Sequence, residues 1–231
     1  MPALALLHTS PAHVPVFDAL RDRYHPGLEL RHVVAPELLD GAREHGPGAM
    51  AGEVARLVRE AADGGAAAVL CTCSSIGAVA EAVPLAVPVL RLDRPMAAEA
   101  VRLGGRVVVL GTVASTLEPT LALLAEEAAG DRPAAPGGDR PAAVRLEGRL
   151  VEGAWERWEA GDTDGYLAAV AAAADALTAS GAADVIVLAQ ASMAPAADLV
   201  RPGTPVLSSP APGLAAAATA AGAHSAGAGT A

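Results

Sequence analysis

Short, unbroken apolar runs alternate with stretches of helical periodicity along almost the whole chain. The runs Ala3–Leu7, Leu28–Val34, Ala66–Thr72, Val87–Leu90, Val107–Leu110, Ala143–Leu146, Val185–Ala189 and Pro205–Leu207 predict strands. AAAVLCT and DVIVLAQ lack the apolar–polar alternation of a half-exposed strand, as expected for strands covered on both faces of a parallel sheet. Between the runs, Met50, Val54, Leu57 and Val58 mark one helix face and Tyr166, Val170, Ala174 and Leu177 another, at the spacing of amphipathic helices. The alternation predicts an α/β fold with mainly parallel sheets flanked by crossover helices. ELLDGAREHG reads as a solvated loop and helix start. DRPAAPGGDRPAA (Asp131–Ala143) reads as an exposed loop between a helix and a strand, with a lid as the alternative. The alanine- and glycine-rich tail after Ala215 reads as a helix that frays.

Comparing the chain with itself adds a second level of organisation. A shift of 117 residues lays AAVLCTCSSIG…VPVL over DVIVLAQASMA…TPVL without a gap. Val69 then falls on Ile186, Ser75 on Ser192, Ile76 on Met193, Pro88-Val89-Leu90 on Pro205-Val206-Leu207, and Cys73 on Gln190. A looser match at another offset sets ALLHTS beside VVLGTV. The expectation is two pseudo-symmetric βα lobes, one from residues 1–95 and 200–231 and the other from 96–199, with a site in the cleft between them.

Composition narrows the chemistry by what is missing. All 16 basic residues are arginine; without lysine there is no internal Schiff base to pyridoxal phosphate and no Walker-type phosphate lysine. A net charge of −10 and five aromatic residues supply neither a phosphate-attracting surface nor base-stacking platforms, so nucleic acid is not an expected partner. Two cysteines cannot build a disulfide framework or a four-thiolate zinc site. No residues show metal-ligand spacing, and G-x-G-x-x-G is absent. No apolar run reaches the roughly 18 residues of a membrane span, and MPALALLHTS lacks a cationic leader region. A cytoplasmic location is expected, with no membrane, cofactor or metal. Oligomeric state stays open, a homodimer or larger homo-oligomer included.

In open parallel sheets ligands bind beyond the carboxyl ends of strands, where the strand order reverses. Four predicted strand ends carry small polar residues: Thr9-Ser10 after His8, Cys73-Ser74-Ser75, Thr112 through Thr116, and Gln190-Ala191-Ser192. Hydroxyls and helix N-terminal amides form an anion site that needs no lysine, and a small carboxylate is the matching ligand. Taken singly, each serine or threonine reads first as a helix cap; the case rests on all four ends being polar together. Cys73 stands between a strand and a helix, where the positive end of the helix dipole favours thiolate. Such a thiolate can move a proton at a carbon next to a carbonyl. Cys71, deeper in the strand, is the alternative thiol, and a small buried hydrophobe is the alternative reading of either. His8 and His13 are candidates for a second base. Trp155 and Trp158 read as packing residues, and Asp93 as an exposed turn residue.

VLCTCSSIG followed by VLAQASMA resembles the aspartate/glutamate racemase superfamily, which includes aspartate, glutamate and hydantoin racemases, maleate isomerase and arylmalonate decarboxylase. The resemblance implies a two-lobed, cofactor-independent enzyme that works with a thiol on each face of the substrate carbon. Cys73-Ser74-Ser75 matches the first cysteine turn. Ala189-Gln190-Ala191-Ser192-Met193 matches the second, with Gln190 where the second cysteine belongs. Gly111-Thr112 with Ser115-Thr116 resembles the family's threonine-rich, carboxylate-contacting turn. The resemblance thus implies Cys73 and Gln190 as the catalytic pair, with Thr9, Ser10, Ser74, Ser75, Thr112, Ser115, Thr116, Ala191 and Ser192 around the substrate. Glutamine has no titratable proton near neutrality, so symmetric two-thiol racemisation is not expected. Racemisation or isomerisation with one thiol comes first. A one-cysteine lyase of the arylmalonate type and a non-catalytic carboxylate-binding protein are the rivals.

Overall fold

The computed structural model describes residues 3–130 and 144–228, with side chains as far as residue 222. The loop expected at 131–143 lies outside the described residues. In chain order the elements are β1 (Ala3–His8), α1 (His13–Tyr24), β2 (Glu29–Val34), α2 (Glu37–His45), a 3-10 turn (Pro47–Met50), α3 (Ala51–Asp63), β3 (Ala68–Cys71), α4 (Ser74–Glu81), β4 (Val89–Arg91) and α5 (Arg94–Leu103). They continue with β5 (Arg106–Gly111), α6 (Ala114–Ala129), β6 (Arg145–Leu150), α7 (Ala154–Glu159), α8 (Thr163–Ser180), β7 (Val185–Leu188), a 3-10 helix (Ala191–Leu199), β8 (Val206–Leu207) and α9 (Pro210–Ala228).

All eight expected strands form, in two four-stranded parallel sheets ordered β2-β1-β3-β4 and β6-β5-β7-β8. The orders are identical once β1–β4 are matched with β5–β8, which is the repeat seen in the sequence. Central strands are sealed: every residue of β1, β3 and β7 is buried, as the continuous apolar runs require. The edge strand β6, RLEGRL, is largely exposed and extends beyond the predicted Ala143–Leu146. Its alternating charged residues face solvent, so no apolar run marks its length.

The chain divides into two compact units, Met1–Asp93 with Pro210–Ala231, and Arg94–Ser209. Each unit includes the helix that follows the other's last strand. Helix α5, after β4, packs on α6 and β7, while α9, after β8, packs on β1, β3 and α1. Residues 200–209 stay with the second unit because β8 pairs with β7. In the first unit the face of the sheet opposite α1 and α9 is covered by α2, α3 and α4, where Ala5, Leu7, Val69, Cys71, Cys73, Val54, Val58 and Ile76 form a continuous core. In the second, α8 lays the predicted Tyr166, Val170, Ala174 and Leu177 face on the sheet. Asp162 caps α8 by accepting the Gly165 amide, and Gly181 ends it at φ 60°, a left-handed turn suited to glycine.

ELLDGAREHG departs from its expected form. It is the helix α2, with Leu38 and Ala42 buried and Leu39 packed partly buried beside them, enough apolar contact to seat so short a helix. Helix α9 depends on a close approach: a Cβ on Gly213 would stand 2.3 Å from the Leu92 carbonyl oxygen. Gly213→Ala is therefore expected to destabilise the fold by about 1–3 kcal/mol, lowering the thermal midpoint by roughly 2–10 °C. Gly222→Ala in the same helix meets nothing within 4 Å and serves as the control in the same melting experiment.

Candidate active site

In the order β2-β1-β3-β4 the crossovers leave in opposite directions from β1 and β3, so the strand order reverses between them. Leu7 pairs with Cys71, which carries Thr9 and Ser10 past the end of one strand beside Cys73, Ser74 and Ser75 past the end of the next. Thr9, Cys73 and Ser75 are buried, Ser10 and Ser74 half-buried. The second unit repeats the arrangement at β5 and β7. Leu110 pairs with Leu188, and two residues further on the Thr112 amide and hydroxyl both donate to Gln190 Oε1, at 2.7 and 2.8 Å. Each unit thus assembles its own predicted polar strand ends.

Cys73 and Gln190 hold the same station in their units. Each stands two residues past its strand in extended backbone, at φ −105° and ψ 118° for Cys73 and φ −120° and ψ 141° for Gln190, and each is the residue before a helix. This correspondence matches the pairing found in the sequence. Cys73 itself, not Ser74 or Ser75, occupies the N-cap of α4, and its side chain makes no capping hydrogen bond. Cys73 thus stands at the N-terminus of α4, the positive end of the helix dipole. Cys71 differs sharply. It is fully buried, its Sγ donates to the Cys73 carbonyl at 3.7 Å, and burial, then the neighbouring Cys73, pushes its thiol well above the ordinary range. Both cysteines are buried, Cys73 at 9 % exposure and Cys71 at 0 %, so Cys73 is the residue nearer the surface.

The second unit ties its hydroxyls together through a residue that sequence reasoning treated as core. Tyr166 is buried, yet its phenol lies 2.8 Å from Ser192 Oγ and also bonds Thr112, while Trp158 packs 5.1 Å from its ring. Burial raises its ionisation above the ordinary tyrosine value, so the phenol stays protonated. Thr116 turns away, donating to the Val113 carbonyl at 2.8 Å. Ala191 is buried and Ser115 half-buried. The scarcity of aromatics in the chain was the one available signal for Tyr166.

Asp93 is not an exposed turn residue. It is 1 % exposed and accepts both Nε and Nη2 of Arg91, at 2.7 and 3.0 Å. The charge of Arg91 fully satisfies it, which is how a carboxylate is tolerated in the interior. His8, a candidate second base, is buried at the end of β1, and its pKa falls from 6.5 to about 3 through burial first, then His13 and His32. Burial also lowers His13. Between pH 6.5 and 3 the unfolded chain binds a proton at His8 that the folded chain refuses, so stability falls as pH is lowered through that window. The thermal midpoint is expected to drop from about pH 7 to about pH 5, and to drop less across that interval in His8→Asn.

Among the described residues no group of three or more His, Cys, Asp or Glu side chains is placed to hold a metal ion, and no helix is long and apolar enough to cross a membrane. The sequence profile described as Asp/Glu/Hydantoin racemase matches residues 16–220. No curated protein matches the sequence directly. Among solved structures, a mutant arylmalonate decarboxylase in a sulfate-associated form is 21 % identical with a TM-score of 0.62, covering 96 % of this chain and 94 % of that one. Glutamate racemase from Thermus thermophilus, in complex with beta-chloro-D-alanine, is 21 % identical with a TM-score of 0.63 over 97 % of this chain and 82 % of that one. Aspartate racemase from Picrophilus torridus is 13 % identical with a TM-score of 0.66 over 96 % and 95 %. These likenesses establish a shared fold.

Proposed function

The chain belongs to the Asp/Glu/hydantoin racemase family, and on that basis we propose that it is a cofactor-independent, racemase- or isomerase-like enzyme that moves a proton at the carbon next to a carboxylate of a small amino-acid-like or dicarboxylate substrate. The observation that carries this reading is the placement of Cys73: an uncapped thiol at the N-terminus of α4, at the strand end where the sheet order reverses. Cys73 acts as the acid/base or nucleophile. Thr9, Ser10, Ser74, Ser75, Ser115, Ala191 and Ser192 offer donors to carboxylate oxygens and the planar enolate-like intermediate, whereas Thr112 supports Gln190 and Thr116 bonds the Val113 carbonyl. Gln190, its carbonyl oxygen taken up by Thr112, presents an amide donor where a second thiol would otherwise stand.

That substitution also favours a second reading. One proton donor suffices for a lyase that removes carbon dioxide from a malonate-like substrate and protonates the resulting enolate. Solvent deuterium separates the two. Incubating the protein in heavy water with aspartate, glutamate, a 5-substituted hydantoin and an aryl malonate, and following each by proton NMR, is expected to show loss of the α-hydrogen signal from unreacted substrate for racemisation. Label confined to product marks the lyase. Tight binding of a carboxylate with neither exchange nor turnover overturns both in favour of a binding protein.

A further inference from the structure

Four side chains of the first unit form a hydrogen-bonded row that the proposed chemistry leaves unused. Thr72 Oγ1 lies 2.8 Å from His8 Nδ1, His8 Nε2 lies 2.8 Å from His32 Nδ1, and His32 Nε2 lies 3.4 Å from Asp18 Oδ1. Asp18 Oδ1 also accepts Arg21 Nη2 at 3.2 Å. Thr72 and His8 are buried, whereas the Asp18 side chain is 41 % exposed, so the row runs from a solvated carboxylate to an interior hydroxyl. The rings are held from the side as well. His8 stacks on His32 at 5.1 Å and contacts Phe17 at 5.4 Å, with His13 edge-on at 6.0 Å.

The inner end of the row is tied to the backbone of β1. The Thr72 hydroxyl, 2.8 Å from His8 Nδ1, donates to the Leu7 carbonyl at 3.1 Å, and the same carbonyl accepts the Thr72 amide at 3.0 Å on its second lone pair. Thr72 is thus held by side chain and main chain together.

The row ends at the residue before Cys73. The ladder of β3 stops at Cys71, and Thr72 keeps only its amide bond to Leu7 before Cys73 begins the turn into α4. Successive residues of a strand point to opposite faces. Thr72 is gripped from the α1 side, and Cys73 joins the core under α2–α4. Burying so many polar atoms in an otherwise apolar sheet is costly unless each is matched, and what the row secures is the backbone that aims the thiol. We propose that His8, His32 and Asp18 are positioning residues that orient Cys73 through Thr72. This deepens, and rests on, the reading of Cys73 as the reacting thiol.

The test measures how fast iodoacetamide alkylates Cys73 in the full chain, located by fragmentation mass spectrometry, with turnover followed in parallel. Thr72→Val keeps the shape and removes the hydroxyl; it is expected to change the alkylation rate about fivefold or more, and Thr72→Ser to return it to within about twofold. Asp18→Asn, at the solvated end, is expected to shift the rate in the same direction, and it decides the matter if Thr72→Val does not fold. Nitrogen-15 spectra of the imidazoles are expected to show the His8 ring signals altered in Thr72→Val. Unchanged alkylation in folded Thr72→Val and Asp18→Asn overturns the proposal, as do unchanged His8 signals in Thr72→Val. If alkylation responds while Cys73→Ser retains full turnover, Cys73 is not the reacting thiol but the row does position it.

Discussion

Cys73→Ser is expected to lower α-proton exchange and turnover by about 10²–10⁴-fold, the usual worth of a positioned acid/base, while binding of an unreactive dicarboxylate changes little. Serine is close in size and is a favoured N-cap residue, so α4 is not disturbed. What it loses is acidity. A thiol is intrinsically far more acidic than a hydroxyl, which needs a dedicated base to act as a nucleophile. Cys71→Ala is the matched control, since that sulfur is sealed in the core with its ionisation pushed upward by burial; its activity is expected to stay within a few-fold of the wild type. Exchange measured by NMR and binding measured by calorimetry check the pair. Full exchange in Cys73→Ser refutes the thiol mechanism. Loss in both variants alike indicates a packing effect.

The largest effect on stability is expected at the Arg91–Asp93 pair. Both side chains are buried and bonded through two nitrogens and two oxygens, so neither charge can be left alone without its full desolvation cost. Asp93→Asn or Arg91→Met is expected to cost about 3–5 kcal/mol in urea unfolding, while the double variant Arg91→Met/Asp93→Leu recovers most of that loss. The pair also braces the candidate site. Arg91 sits opposite Cys71 on β4 and packs against Gly77 of α4, where an added Cβ would stand 3.2 Å from it. A single variant within about 1 kcal/mol of the wild type would show that water reaches the pair.

Much of the architecture was legible because burial writes itself into composition. Strands β1, β3, β5 and β7 lie at the centres of their sheets, and their unbroken Val, Leu, Ile and Ala runs say so. The pairing of Cys73 with Gln190 was legible because the two units repeat both the strand and the residue count beyond it. Strand β6 and helix α2 were harder to read: one is an edge with charged side chains in solvent, the other is a short helix seated by Leu38, Ala42 and the partly buried Leu39. Asp93 was misread because exposure is the ordinary state of a carboxylate, and only Arg91, two residues away across a turn, makes its burial tolerable. Tyr166 was placed on the correct helix face, but its bonds to Ser192 and Thr112 join α8 to strand ends far away in the chain.

By itself the sequence determined the α/β class, the eight strands, the internal repeat and the residues that end the central strands, because each depends on hydrophobic periodicity or on local spacing. Only the tertiary structure decided which of two thiols is sealed, which carboxylate is paired, which hydroxyls turn inward, and that His8, His32, Asp18 and Thr72 share one row. These are matters of long-range register: parallel pairing sets His32 beside β1 and Thr72 beside Leu7, and the protonation and reactivity of a polar side chain depend on the neighbours that register brings to it.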